Sequence, residues 1–143
     1  MRVYLDNCCY DRPFDDQSQL RIKLEAIAKL AVQYMMYSRK IDFVWSKVLD
    51  YEISRNPDPK RRSAISYWRS RAAEYIDAID FVKTRGLELE AIGLKPKDAL
   101  HLASAEAAGC DIFLTTDDGI LKKASQFDSM KIMNPVNFVM EAR

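Results

Sequence analysis

Short apolar segments alternating with amphipathic helices restrict the fold of this chain more than any other feature. Residues 2–6 (RVYLD) read as a strand that ends on an acid. Behind it, residues 10–17 (YDRPFDDQ) hold Pro13 and turn-forming polar residues, so a loop is expected. Between Gln19 and Tyr37 the apolar residues Leu20, Leu24, Ile27, Ala31 and Tyr34 recur at helical steps, and that face is expected to cover a sheet. Residues 41–45 (IDFVW) are β-branched and aromatic, and Ser46 is a good N-cap for a helix through Ser54. Asn56-Pro57-Asp58-Pro59 must end that helix, because proline and the residue before it disfavour helical backbone.

Beyond the prolines, Ile65, Trp68, Ala72, Tyr75, Ile79 and Val82 follow the helical period, and a further helical piece over 84–92 stops at Gly93. Lys95-Pro96-Lys97-Asp98 opens an alanine-rich helix that runs to Gly109. Residues 112–114 form the third strand, 115–118 a turn and 119–125 a helix; 131–133 is a last strand before a helix from Pro135. This order predicts an α/β class, a three-layer α/β/α domain with a short, mainly parallel central sheet, spanning 1–143 as one unit.

The composition fits such a domain, with 48% apolar and 30% charged residues in 143. No run approaches the roughly 18 apolar residues of a membrane span, and Asp6 interrupts the amino terminus before a signal sequence could form, so a cytoplasmic protein without a membrane partner is expected. Cys8, Cys9 and Cys110 are an odd set with no zinc spacing and read as reduced thiols. Lys and Arg number 22 against 21 Asp and Glu, a net of +1, so any nucleic-acid footprint must be local. It has a place to be: Arg55, Lys60, Arg61, Arg62, Arg69 and Arg71 face only Asp58 between residues 55 and 71.

In parallel α/β folds the ligand site lies beyond the carboxyl ends of the strands. Asp6 ends the first strand, Glu52 comes after the second, Asp98 sits in the first turn of the alanine-rich helix, and Asp117 comes after the third strand. Taken singly, Asp98 and Asp117 read as helix caps and Glu52 as an exposed helical acid. Together, four converging carboxylates repel unless a cation compensates, and hard oxygen ligands suit Mg²⁺ or Mn²⁺. His101, alone and three residues past Asp98, reads as a packed or hydrogen-bonded structural residue.

Tyr4-Leu5-Asp6-Asn7, Glu52, the run D-A-L-H-L-A-S-A from Asp98, and F-L-T-T-D ending at Asp117 resemble, in order and spacing, the motifs of PIN-domain nucleases. The resemblance covers essentially the whole chain. It implies a VapC-like, Mg²⁺- or Mn²⁺-dependent endoribonuclease that cuts single-stranded RNA, leaving a 5′-phosphate and a 3′-hydroxyl. It further implies that the protein is the toxin of a type II toxin–antitoxin pair, with an antitoxin as partner. Asp6, Glu52, Asp98 and Asp117 match the family's acids, and Thr115 its hydroxyl residue near the last acid. The chain departs from the pattern after Asp6, where Asn7 and Cys8 stand in place of a small hydroxyl residue followed by Asn or Ser.

Asn7 can still hydrogen-bond the site, and Asp118 is an alternative to Asp117. Arg12 is expected near the scissile group, with Lys60, Arg61 and Arg62 on RNA phosphates. The apolar end of the first long helix, Tyr34-Met35-Met36-Tyr37, offers a surface for a homodimer. A metal-free PIN-like module binding RNA or protein is the alternative reading, and DNA cleavage by the same site a third. A haloacid-dehalogenase-type phosphotransferase is disfavoured because Cys8 stands where a second Asp would be needed.

Overall fold

The protein is described by a computed structural model over residues 1–142. Five short strands, β1 (Arg2–Leu5), β2 (Asp42–Ser46), β3 (Glu74–Ile76), β4 (Ile112–Leu114) and β5 (Lys131–Met133), form one sheet in the order β3-β2-β1-β4-β5. Every pairing is parallel, with Tyr4 opposite Val44 on one side and Phe113 on the other. From β1 the chain steps outward to β2 and β3, then returns across β1 to β4 and β5. Right-handed crossovers in opposite directions place their helices on opposite faces of the sheet, the three-layer α/β/α arrangement the sequence predicts. The reversal between β1 and β4 is a topological switch point, and the main chain closes it with Asp6 N–H donating to Leu114 O at 2.9 Å.

The helices are α1 (Asn7–Asp11), α2 (Leu20–Tyr37), α3 (Lys47–Ser54), α4 (Pro59–Ser66), α5 (Asp80–Ala91), α6 (Pro96–Ala107), α7 (Asp118–Leu121) and α8 (Pro135–Glu141). Local signals set several boundaries. Ser46 Oγ accepts from Leu49 N–H to cap α3, Asp58 caps α4, and Asn134 caps α8. Gly93 ends the α5 region at φ +102°, a conformation that disfavours a β-carbon.

Four expectations are corrected. The helical reading across Ile65, Trp68, Ala72, Tyr75, Ile79 and Val82 breaks after α4 and a 3-10 turn, and Glu74–Ile76 joins the sheet as β3. Three residues are too few to reveal a strand period, so the flanking helical pattern masks it. The segment expected as a loop after Tyr10 is partly helical, with α1 followed by a 3-10 turn at Arg12–Phe14. The helix expected over 119–125 is only α7, followed by a separate 3-10 turn at Ala124–Gln126.

The largest correction concerns α2. Leu20, Ile27 and Tyr34, expected to face the sheet, are 70%, 56% and 65% exposed. The buried face is instead Glu25, Ala28, Lys29, Val32 and Met36. Polar residues can occupy it because Glu25 accepts from Arg12, Arg21 and Asn134, while Lys29 lies over the Tyr10 and Trp68 rings and donates to Gln33. No helix among the described residues is long and apolar enough to cross a membrane.

Candidate metal centre

Asp6 emerges buried at the end of β1 and caps α1, its Oδ1 accepting Asn7 N–H at 2.8 Å. Thr115, the first residue past β4, donates its hydroxyl to Asp6 Oδ2 at 2.9 Å and accepts Asp117 N–H at 3.1 Å. One fully buried hydroxyl therefore ties the acid of β1 to the main chain of the β4 turn at Asp117. The Cys8 thiol lies 3.5 Å from both Asp6 Oδ2 and Thr115 Oγ1. Behind Asp6, where a small hydroxyl residue is absent, the contacts to its carboxylate come from the Asn7 N–H and the Cys8 thiol.

Glu52, half-buried on α3, is gripped from two sides. His101 Nε2 lies 2.5 Å from Oε1, and Asn7 Nδ2 donates to Oε2 at 3.2 Å. Burial alone would raise its pKa; the His101 hydrogen bond and charge, with Lys97 and Asn7, outweigh that and hold it below the ordinary glutamate value. His101 is fully buried on α6, and its Nδ1 lies 2.6 Å from Tyr4 Oη, which in turn lies 2.6 Å from Ser46 Oγ. Burial favours neutral imidazole, yet the Glu52 hydrogen bond and the charges of Asp6, Glu52 and Asp98 prevail and raise its pKa.

One atom each of Asp6, Glu52 and His101 gather within 4.8 Å of one another, close enough to hold a cation. Both imidazole nitrogens are already engaged by Glu52 and Tyr4, however, so His101 acts here as a support for Glu52. The sequence held half of this signal, His101 being one helical turn from Asp98, but nothing local pairs it with an acid 49 residues away.

Asp98, half-buried in the first turn of α6, accepts no side-chain hydrogen bond among the described residues. Burial, then the neighbouring charges of Asp6 and Asp117, push its pKa up to about 6. Asp117 caps α7 through Gly119 N–H at 2.7 Å, so its bland role as a cap is realised while its charge still reaches Asp98. Asp118 turns away and is gripped by Arg21 at 2.9 Å through both oxygens. Among the described residues no lysine or arginine pairs with Asp6, Glu52, Asp98 or Asp117, and Asn7 Oδ1 is buried there without a partner.

The basic residues are placed less freely. Arg12 bridges Glu25 and Asp15, and Arg61 bridges Asp15 and the Phe14 carbonyl. Arg62 donates to Asn56 O, whereas Lys60 is exposed. Arg12 and Arg61 therefore fasten the 3-10 turn after α1 to α2 and α4.

Comparison with known proteins gives this geometry a context. The model of the PIN domain family matches residues 17–126, a span that holds Glu52, Asp98 and Asp117 and begins after Asp6. Among solved structures, VapBC2 from Rickettsia felis bound to a DNA fragment from their promoter is similar at TM-score 0.58 and 16% identity, covering 94% of this chain and 98% of that one. DNA-bound VapBC from Salmonella typhimurium is similar at TM-score 0.59 and 13% identity, with 94% and 98% coverage. No curated protein sequence matches the chain. The fold likeness, the family match over 110 of 143 residues and the acids at the switch point agree, and this chain belongs to the PIN domain family.

Proposed function

We propose that this protein is a metal-dependent endoribonuclease that cuts single-stranded RNA and acts as the toxin of a toxin–antitoxin pair. The observation that carries this reading is the acid cluster of Asp6, Glu52, Asp98 and Asp117 at the β1–β4 switch point, which no lysine or arginine among the described residues pairs and in which only Glu52 and Asp6 have His101 as a basic neighbour. Such a cluster opposes folding unless a cation joins it. The donor set fits a hard divalent ion, being carboxylate oxygens with the buried, unpartnered Asn7 Oδ1 beside them. Asp6, Asp98 and Asp117 would hold Mg²⁺ or Mn²⁺, with Glu52 as a further ligand or water-orienting group. Bound there, the ion would supply Lewis-acid polarisation of a phosphoryl oxygen and lower the pKa of water.

The chain's own residues do the rest. Glu52 is held by one N–H donor on each oxygen, which leaves a lone pair on each to accept from the attacking water. Thr115 fixes the Asp6 carboxylate and restricts its rotation. In-line attack would leave a 5′-phosphate and a 3′-hydroxyl. Exposed Lys60 is free to meet the phosphate backbone, while Arg12, Arg61 and Arg62 would first have to leave internal partners.

An antitoxin partner and a homodimer find support in α2, whose exposed Leu20, Leu24, Ile27, Leu30, Tyr34 and Tyr37 form an apolar stripe a monomer seldom shows to water. The VapBC fold neighbours point the same way. Cleavage of total RNA by wild type and by Asp98→Asn, each with Mg²⁺ or with EDTA, tests the activity. Cutting by wild type with Mg²⁺ alone is expected; equal cutting by Asp98→Asn overturns the assignment.

A further inference from the structure

We propose that the recess between α3, α5 and α6 is a nucleobase subsite, seating a base next to the scissile phosphate; this rests on the ribonuclease reading above. The recess has a volume of about 260 Å³, and Val48, Tyr51, Ile76, Val82 and Leu100 line it. Ligand pockets for larger molecules run to roughly 300–1,000 Å³, so this one suits a single ring system.

Its position is a consequence of helix geometry. On α3, Val48 and Tyr51 precede Glu52 by four residues and by one; on α6, Lys97 and Leu100 each stand one residue before Asp98 and His101. An offset of one residue is a rotation of about 100° and a rise of about 1.5 Å. The recess walls and the acid cluster are therefore adjacent stripes of the same two helices. Lys97 is near enough to Glu52 for its charge to be felt there.

The chemistry of the lining selects the occupant. Apolar walls with a tyrosine accept the face of a flat ring, and Arg55 lies over the Tyr51 ring at 5.5 Å. Exposed Lys47 and Lys97 border the recess and call for anions beside that ring. Lys47 has one surface contact, Asp77 at 3.7 Å, which a phosphate displaces at little cost. An apolar ring flanked by anions is a nucleotide; a neutral side chain of the same shape would match the apolar walls but leave Lys97 without an anion, Lys47 keeping only Asp77.

Cleavage of a random-sequence pool of single-stranded RNA with Mg²⁺, with the fragment ends then sequenced, tests this. Wild type is expected to show about a threefold base preference at one position flanking the cut, modest because every base offers a face to stack and only stacking strength separates them. Val48→Phe, which fills the recess, should flatten that preference, and so should Ala78→Phe at its exposed edge, where folding is not at stake. Preferences at other positions should stay. Cutting without a flanking preference, or a preference unchanged in both variants, overturns the subsite and leaves the ribonuclease reading standing. Weaker antitoxin binding by the two variants with unchanged base preference would assign the recess to a protein side chain and equally overturn it. No cutting at all removes the ribonuclease reading, and the subsite with it.

Discussion

His101 Nε2 lies 2.5 Å from Glu52 Oε1, while the opposite ring nitrogen of the same imidazole lies 2.6 Å from Tyr4 Oη. Through this buried ring, β1, α3 and α6 share one hydrogen-bonded chain that begins at Ser46 and ends at an acid of the site. Orientation of Glu52 is thereby a property of the core.

Replacing His101 with Ala should cost about 2–4 kcal/mol of stability, through the cavity and the orphaned Tyr4 hydroxyl. It should also weaken Mn²⁺ binding about tenfold or more, because a ligand that loses its orienting partner holds metal poorly. Denaturant unfolding and calorimetric titration measure the two effects; unchanged Mn²⁺ affinity in a folded variant would show that Glu52 needs no such support.

Asp98 carries the electrostatic cost of the acid cluster. Its folded pKa of about 6 stands above its ordinary 3.8, so the folded chain holds this proton more tightly than the unfolded chain does. Metal-free stability should therefore fall as pH rises between those values and stay lower above them. Asp98→Asn should be the more stable protein at pH 7 in EDTA, by about 1 kcal/mol after allowance for its partial exposure. The order should reverse when Mg²⁺ is added, and thermal melts at pH 4.5 and pH 7 check both signs.

Thr115→Val removes the donor to Asp6 and the acceptor of Asp117 N–H while keeping the shape of the side chain. A loss of about 1–3 kcal/mol is expected for the unsatisfied buried groups, with RNA cleavage reduced at limiting Mg²⁺ and partly restored at high Mg²⁺. A uniform loss at all Mg²⁺ concentrations would place Thr115 outside metal binding.

Lys29 is buried on α2, and desolvation lowers its pKa from 10.5 to about 8. The unfolded chain keeps a proton that the folded chain gives up between those values, so the cost is full below pH 8 and fades as pH rises toward 10.5. Lys29→Met should be about 1–2 kcal/mol more stable at pH 7. That advantage should shrink at pH 10, as urea denaturation at the two pH values will show.

Much of the fold was legible because short-range chemistry writes it. Ser46 caps α3, Pro96 opens α6, Gly93 and Gly109 take positive φ, and the apolar runs of β1, β2, β4 and β5 stand where their composition puts them. Asp6 and Asp117 could be expected at one edge because both fall just past the neighbouring parallel strands β1 and β4, whereas Glu52 and Asp98 stand within α3 and α6, where no strand end announces them. Strand β3 was hidden by its length, and the buried face of α2 by partners that let charged residues sit inside: Arg12 and Arg21 for Glu25, the Tyr10 and Trp68 rings and Gln33 for Lys29.

The sequence by itself determined the elements, their order and the acids they carry, because these depend on residues a few positions apart. Tertiary structure alone decided that His101 and Asn7 grip Glu52, that Thr115 joins Asp6 to Asp117, and that Arg12 and Arg61 are spent on internal acids. Most of those partners lie tens of residues apart, and no local propensity records which distant group will stand within 3 Å once the sheet has closed.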